Sequence, residues 1–119
     1  MLDFRRTPRE TLSSQFLSAL LMVSPFARED VVLEVEGPLV SVPYISMTVA
    51  MMRQWGAVVN VEGSSFHIPA TREYRRCNYT IEPDASAASY FWAAAAITGV
   101  RVTVSGLNRK SLQGDVRFV

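Results

Sequence analysis

The sequence predicts an α+β (α/β) fold made of repeated βαβαββ units, in which helices pack on one face of a mixed four-stranded sheet. The first observation is that segments with helical apolar spacing alternate with segments rich in β-branched residues. The second is that glycine or proline follows most of these segments, as is typical of turns. The third is an internal repeat in the sequence. Residues 14–19 are matched in character by residues 89–94, and residues 35–41 by residues 104–111.

The first 70 residues are predicted to form most of one such unit. Residues 1–11 are polar and read as an irregular start, and Pro25 marks the end of the first helix. Pro43 suits the first turn of the second helix, and Gly56 suits its end. The predicted elements are a helix at 13–23, a strand at 31–36, a helix at 43–55, and strands at 57–61 and 65–68 joined by a hairpin turn at 62–64.

Residues 71–76 form a predicted connector, and residues 77–119 are predicted to begin the next unit. Asp84 can cap a helix over 85–98, whose alanines allow close packing against a sheet. Strands are predicted at 77–82 and 101–105, and residues 111–116 are predicted to open a fourth helix. Because this second unit is only begun, we expect the sequence to be a fragment of a longer protein.

The composition excludes several classes of protein. The chain has 119 residues, 49% hydrophobic and 19% charged, and its net charge of +1 does not provide a nucleic-acid-binding surface. Cys77 is the only cysteine, which excludes an internal disulfide. The sequence contains neither a signal peptide nor an apolar run long enough to cross a bilayer, so we expect no membrane partner and a cytoplasmic location.

The start of the first helix carries two hydroxyls and an amide, from Ser13, Ser14 and Gln15. The first N–H groups of a helix lack internal partners, and the helix dipole makes this end electropositive. Small polar side chains there can cap the helix. Together with the free N–H groups they can also hold a phosphate or carboxylate, and the residues alone leave both roles open.

Three stretches carry a resemblance to a known family. They are Leu-Ser-Ser-Gln-Phe-Leu-Ser-Ala-Leu-Leu-Met at 12–22, Leu-Val-Ser-Val-Pro-Tyr-Ile-Ser-Met-Thr at 39–48, and Ile-Glu-Pro-Asp-Ala-Ser-Ala-Ala-Ser-Tyr-Phe at 81–91, continued by Ser-Leu-Gln-Gly-Asp at 111–115. In this order and spacing they closely resemble the family of 5-enolpyruvylshikimate-3-phosphate synthase, or 3-phosphoshikimate 1-carboxyvinyltransferase. The resemblance extends from residue 12 onward and covers a central part of the family's length.

The resemblance implies a transferase of the shikimate pathway to aromatic amino acids. Enzymes of that family move the enolpyruvyl group of phosphoenolpyruvate onto the 5-hydroxyl of shikimate 3-phosphate and release phosphate. They consist of two domains, each built from three repeated units, that close over the substrates. The implied partners are these two small molecules, with no cofactor and no metal.

The same resemblance implies which residues bind substrate. Ser13 and Ser14 correspond to serines that hold the 3-phosphate, and Gln15 to a glutamine close to both substrates. Ser41 corresponds to another phosphate contact, and Tyr44 lies near the ring. Asp84 falls in the segment that resembles the crossover into the second domain, where we expect a helix cap or hinge element.

The sequence departs from the family at position 42, where a common lysine is replaced by Val42 and its charge is lost. The family's N-terminal Lys-Ser and Arg segment, its proton-accepting carboxylate and its C-terminal phosphoenolpyruvate-binding arginines and lysine have no counterparts here. The addition-elimination chemistry needs a positioned acid and base with both anions bound. We therefore expect no catalytic residue in this chain and no activity from the chain alone.

Two alternatives stay open on sequence grounds. One is the related UDP-N-acetylglucosamine enolpyruvyl transferase, against which the Ser-Ser-Gln turn argues. The other is a non-catalytic α/β module that folds or self-associates through an uncovered sheet edge or helix face. His67 is expected to be structural or exposed, since no second ligand lies at metal-binding spacing, and Arg72, Arg75 and Arg76 are expected to belong to a solvated connector.

Overall fold

The computed structural model describes residues 13–39 and 41–117. The chain divides into two compact units, the first ending at Cys77 and the second beginning at Asn78. Each unit is described by itself. The irregular start predicted for residues 1–11 lies outside the described residues.

The described residues of the first unit form two helices and a three-stranded sheet. Its elements are α1 (Ser14–Val23), which runs into a short 3-10 turn (Ser24–Phe26), then β1 (Val31–Glu34), α2 (Val42–Gln54), β2 (Asn60–Glu62) and β3 (Ser65–Ile68). The strand order is β1-β3-β2, and both pairs are antiparallel. Consequently β1 and β2 run in the same direction on either side of β3, and α2 forms the connection between them.

The core of the first unit lies between the two helices and the sheet. Apolar side chains at helical spacing on α1 and α2 meet alternate residues of β3, which point to one face of the sheet. The buried residues of this core are Leu17, Leu21, Leu33, Ile45, Val49, Met52, Ala57, Val59, Phe66 and Ile68. The two predicted helices are therefore confirmed for this unit, although Phe16 and Trp55, which belong to their apolar stripes in sequence, are exposed.

The end of α2 explains why the following strand begins later than predicted. Gly56 adopts a positive φ of 85°, its N–H donates to the carbonyl of Arg53 at 3.0 Å, and the N–H of Ala57 donates to the carbonyl of Met52 at 3.0 Å. This pair of bonds is the Schellman motif. Because residue 57 completes the helix terminus, β2 starts at Asn60 and not at residue 57.

The second unit is organised around α3 (Ala85–Thr98). Asp84 caps it by accepting from the N–H of Ala87 at 3.1 Å, as predicted, and Gly99 ends it with a φ of 71°. The side chain of Gln113 accepts from the N–H of Ala85 at 2.8 Å and donates to Glu82 at 3.2 Å. The segment after the helix thus returns to its first turn and satisfies a donor there.

Several predictions for the sheet and the second unit are wrong for the described residues. The sheet is antiparallel with three strands, so the mixed four-stranded sheet is absent from this part of the chain. Residues 77–82 and 101–105 form no strand, and the predicted fourth helix is a 3-10 turn at Gly114–Arg117. A strand depends on backbone partners in a neighbouring strand. Apolar β-branched sequence indicates suitability for a sheet but cannot supply that partner.

No helix in the described ranges has the length and apolar character needed to span a membrane.

Candidate functional site

Ser13 lies at the N-terminus of α1 and caps it. Its side-chain oxygen accepts from the N–H of Gln15 at 3.3 Å, while its carbonyl accepts from the N–H of Phe16 at 3.0 Å. Ser13 and Gln15 are exposed and Ser14 is half-buried. The long 3.3 Å contact is a weak bond, so an anion with better acceptor oxygens could replace the serine oxygen at this N–H.

Ser41 begins α2 in a different way. Its backbone is left-handed (φ 57°, ψ 45°), and its side chain makes no capping hydrogen bond. The carbonyl of Ser41 accepts from the N–H of Tyr44 at 3.0 Å, and Pro43 has no N–H to satisfy. The exposed hydroxyl of Ser41 therefore remains available to a ligand at this helix end.

The C-terminal ends of the two helices are held by adjacent residues. The hydroxyl of Tyr74 donates to the carbonyl of Met22, near the end of α1, at 2.8 Å. The N–H of Arg75 donates to the carbonyl of Trp55, which caps α2, at 2.7 Å. Because neighbouring residues reach both helix ends, the C-termini lie at the same end of the first unit.

A hydroxyl pair joins the middle of α1 to the middle of α2. Thr48 of α2 and Ser18 of α1 are hydrogen-bonded through their side-chain oxygens at 3.0 Å. Since the C-termini share one end, the N-termini of α1 and α2 share the other. Ser18 follows Ser13 by five residues and Thr48 follows Ser41 by seven, about one and a half and two helical turns. The structure thus brings Ser13 and Ser41 to one end of the helix pair.

The described side chains of the two helix starts carry no charge. Neither residues 13–18 nor residues 41–48 include an acidic or basic side chain. The electrostatic character comes from the two helix N-termini, whose dipoles and free N–H groups favour an anion. Tyr44 is 50% exposed and Val42, where the resembling family commonly has lysine, is 47% exposed. All five predicted substrate-binding residues therefore belong to two helix starts that lie together.

The other residues considered from the sequence lie elsewhere. His67, on β3, is partly exposed and 3.7 Å from the carboxylate of Asp30. Arg72, Arg75 and Arg76 are exposed in the segment after β3, and the N–H of Arg72 donates to the carbonyl of Pro25 at 2.7 Å. Because the N–H of Arg75 donates to the carbonyl of Trp55 at the end of α2, this arginine segment lies near the helix C-termini and away from the two serine-rich helix starts.

Sequence reasoning missed two features of this arrangement. Ser18 and Thr48 were not singled out, although each is a hydroxyl near an otherwise apolar helix stripe, which is a signal for a polar contact between helices. Tyr74 and Arg75 fall in the segment that the sequence predicts to be a connector. Nothing in their spacing indicates that one bonds each helix, because both bonds depend on how the chain returns from β3.

A depression in the second unit is too small to be a ligand pocket of ordinary size. It is lined by Trp92, Leu107, Asn108, Arg109 and Val116 and has a volume of about 150 Å³. Small-molecule sites usually enclose at least about 300 Å³. The two helix starts of the first unit are therefore the stronger candidate site.

Comparison with known proteins gives independent evidence about the family to which this chain is similar. The family model described as EPSP synthase (3-phosphoshikimate 1-carboxyvinyltransferase) matches residues 8–119. Relatives named 3-phosphoshikimate 1-carboxyvinyltransferase from a Nostoc species and from Trichormus variabilis are each 51% identical over 117 residues, 98% of this chain and 27% of the relative. One from a Shewanella species is 52% identical over 109 residues, 90% of this chain and 26% of the relative. The chain thus spans about a quarter of the length of the curated relatives it matches.

Proposed function

Because this chain belongs to the EPSP synthase (3-phosphoshikimate 1-carboxyvinyltransferase) family, we propose that it is part of an enzyme that transfers the enolpyruvyl group of phosphoenolpyruvate to the 5-hydroxyl of shikimate 3-phosphate. The observation that carries this proposal is the match over 98% of the chain at 51% identity. The comparisons favour neither the UDP-N-acetylglucosamine enzyme nor a purely structural module. The proposed reaction of these two substrates uses no cofactor, and the proposed location of the protein is the cytoplasm.

We propose that the 119 residues retain part of the shikimate 3-phosphate site. Ser13 and Ser14 would donate hydroxyl hydrogen bonds to the 3-phosphate, and Ser41 would add a third from the neighbouring helix start. Gln15 would lie close to both substrates, and Tyr44 would lie near the shikimate ring. Support comes from the common end of α1 and α2, where two sets of free N–H groups and exposed hydroxyls can face one dianion.

The finer architecture is also a proposal. Residues 1–70 would be most of one βαβαββ unit in the family's first domain, residues 71–76 a connector, and residues 77–119 the start of a unit in its second domain. The strands that this repeat requires in the second unit would form only against neighbours from a full-length enzyme. We expect the 119 residues in isolation to bind substrate weakly and not to catalyse the transfer.

The proposal is tested by titrating shikimate 3-phosphate into this chain by calorimetry, with inorganic phosphate for comparison. We expect weak, salt-sensitive binding that a Ser13→Ala, Ser14→Ala double variant loses. Because alanine also removes the cap of α1, about 1 kcal/mol, a Ser13→Asp variant separates the two roles. Aspartate caps a helix as well as serine does, but its carboxylate repels a phosphate. Ser13→Asp should therefore keep its stability and lose binding.

The matched control is Thr71→Asp, which adds the same charge beyond β3, towards the helix C-termini, and should leave binding unchanged. In the opposite direction, Val42→Lys restores the charge common in the family at an exposed position and should strengthen binding in a salt-dependent manner. No detectable binding by the wild-type chain, or equal binding by Ser13→Asp and Thr71→Asp, would refute the proposed half-site and leave the family membership unaffected.

A further inference from the structure

A side-chain hydrogen bond links α1 directly to α2. Ser18 and Thr48 are half-buried where α1 and α2 meet, and their hydroxyl oxygens are 3.0 Å apart. The same Thr48 hydroxyl lies 2.9 Å from the carbonyl of Tyr44. Its single hydrogen is shared between two acceptors, one on each helix. Thr48 therefore connects the first turn of α2, which carries Tyr44, directly to α1.

Apolar packing alone would fix this geometry less well. The side chains of Leu17, Leu21, Ile45 and Val49 are buried in the common core, but apolar contacts are not directional and permit a helix to slide or rotate by small amounts. A hydrogen bond between half-buried hydroxyls is directional and is broken by such a shift. It lies about one and a half turns from the start of α1 and about two turns from the start of α2, so a shift at this contact changes the separation of the two helix starts.

We propose that Ser18 and Thr48 form a positioning pair that sets the spacing of the two helix N-termini and thereby the affinity of the site for a phosphorylated ligand. The ligand part of this inference rests on the proposed function, whereas the spacing does not. Neither hydroxyl needs to touch the ligand. Both act through Ser13, Ser14 and Ser41, whose separation must match a single phosphate for their hydrogen bonds to form together.

The first measurement is free of ligand and compares amide NMR spectra of the wild-type chain with Thr48→Val and Ser18→Ala. Valine matches the shape of threonine and keeps the apolar contacts. We expect Thr48→Val, a change in α2, to shift the amide signals of Ser14 and Gln15 in α1. Ser18→Ala should shift those of Val42 and Tyr44. Shifts confined to the substituted helix would overturn the proposal.

The second measurement is the dissociation constant for shikimate 3-phosphate. Each single variant loses the hydrogen bond that positions the two helix starts, and this loss should weaken binding about fivefold. The Ser18→Ala, Thr48→Val double variant should be no weaker than Thr48→Val alone, because the contact between the helices is already lost in each single variant. Thr48→Ser keeps the hydroxyl and should bind like the wild type.

Tyr74→Phe is the structural control, because it removes a hydroxyl contact at the opposite end of α1. We expect it to lower stability and leave the dissociation constant unchanged. Equal weakening by Tyr74→Phe and Thr48→Val would make the effect one of stability and would overturn the proposal. If the wild-type chain binds no ligand, the proposed half-site fails, and the amide shifts alone then decide whether the pair positions the helix starts.

Discussion

At the scale of single residues, Ser41 holds the least usual backbone in the candidate site. A left-handed conformation costs a residue with a side chain about 1 kcal/mol relative to glycine, and it is found mostly where surrounding structure imposes it. Here Pro43 fixes the first turn of α2, and the hydroxyl of Ser41 makes no cap bond. The strain is therefore not compensated by capping, in contrast to Ser13, whose oxygen bonds its own helix.

Two substitutions at Ser41 separate strain from the hydroxyl. Ser41→Gly relieves the backbone strain and Ser41→Ala retains it, so the glycine variant should be more stable than the alanine variant by about 1 kcal/mol in urea unfolding. Both remove the hydroxyl and should weaken shikimate 3-phosphate binding alike. An alanine variant as stable as the glycine variant would contradict the left-handed conformation, and a difference between their affinities would contradict a role for the hydroxyl alone.

At the scale of elements, the helix pair of the first unit is held together at its middle and at its C-terminal end. Ser18 and Thr48 connect the two helices near their midpoints, while Tyr74 and Arg75 bond the two C-terminal ends. The ring of Tyr74 also contacts Phe26, with centroids 5.7 Å apart. Burial raises the pKa of the Tyr74 phenol above its ordinary value of 10.0. The neutral phenol is the form that can donate to the carbonyl of Met22.

This raised pKa predicts a loss of stability in alkali. Above pH 10.0 Tyr74 of the unfolded chain loses its proton while Tyr74 of the folded chain retains it. The contribution of Tyr74 to the free energy of unfolding is therefore complete below that pH and is lost as the pH rises through the folded pKa. Tyr74→Phe should cost about 1 kcal/mol at neutral pH and should flatten the decline of unfolding free energy above about pH 10. An unchanged alkaline decline in Tyr74→Phe would assign that decline to other groups.

At the scale of the whole molecule, the second unit leaves most of α3 uncovered. This helix contains no charged residue, and Ala85 and Ala88 are its buried positions. Tyr90 and Ile97, seven residues apart on the opposite face, are 78% and 85% exposed. A helix that is apolar on every side normally lies inside a larger protein. Exposed apolar surface of this kind favours association with a second copy, because the uncharged face is complementary to itself.

We therefore expect the chain to self-associate through α3. Sedimentation velocity should give a sedimentation coefficient that rises with protein concentration. A Tyr90→Lys, Ile97→Lys double variant should remain monomeric because burying the new charges in an apolar interface is unfavourable. Ala96→Lys adds charge on another side of the same helix and should associate like the wild type. A wild-type chain that stays monomeric throughout the series would contradict this prediction.

The sequence by itself determined the helices and much of the family assignment. Caps, helix-ending glycine and apolar spacing are local signals, so α1, α2 and α3 were predictable within a residue or two. The motifs around Ser13 and Ser41 indicated a family that the comparisons then established. The β1 and β3 strands were also predictable, because each combines β-branched or alternating sequence with a turn.

Only the tertiary structure decided which elements pair and which residues meet. Residues 77–82 and 101–105 have sequence suited to strands but form none in the described chain, since a strand exists only where a neighbour shares its hydrogen bonds. The shared end of α1 and α2 follows from contacts of Ser18 with Thr48 and of Tyr74 with Met22, pairs separated by 30 and 52 residues. No local pattern encodes such distances. The hydroxyls of the candidate site were therefore readable in the sequence, whereas their meeting at one end of the helix pair was a consequence of packing.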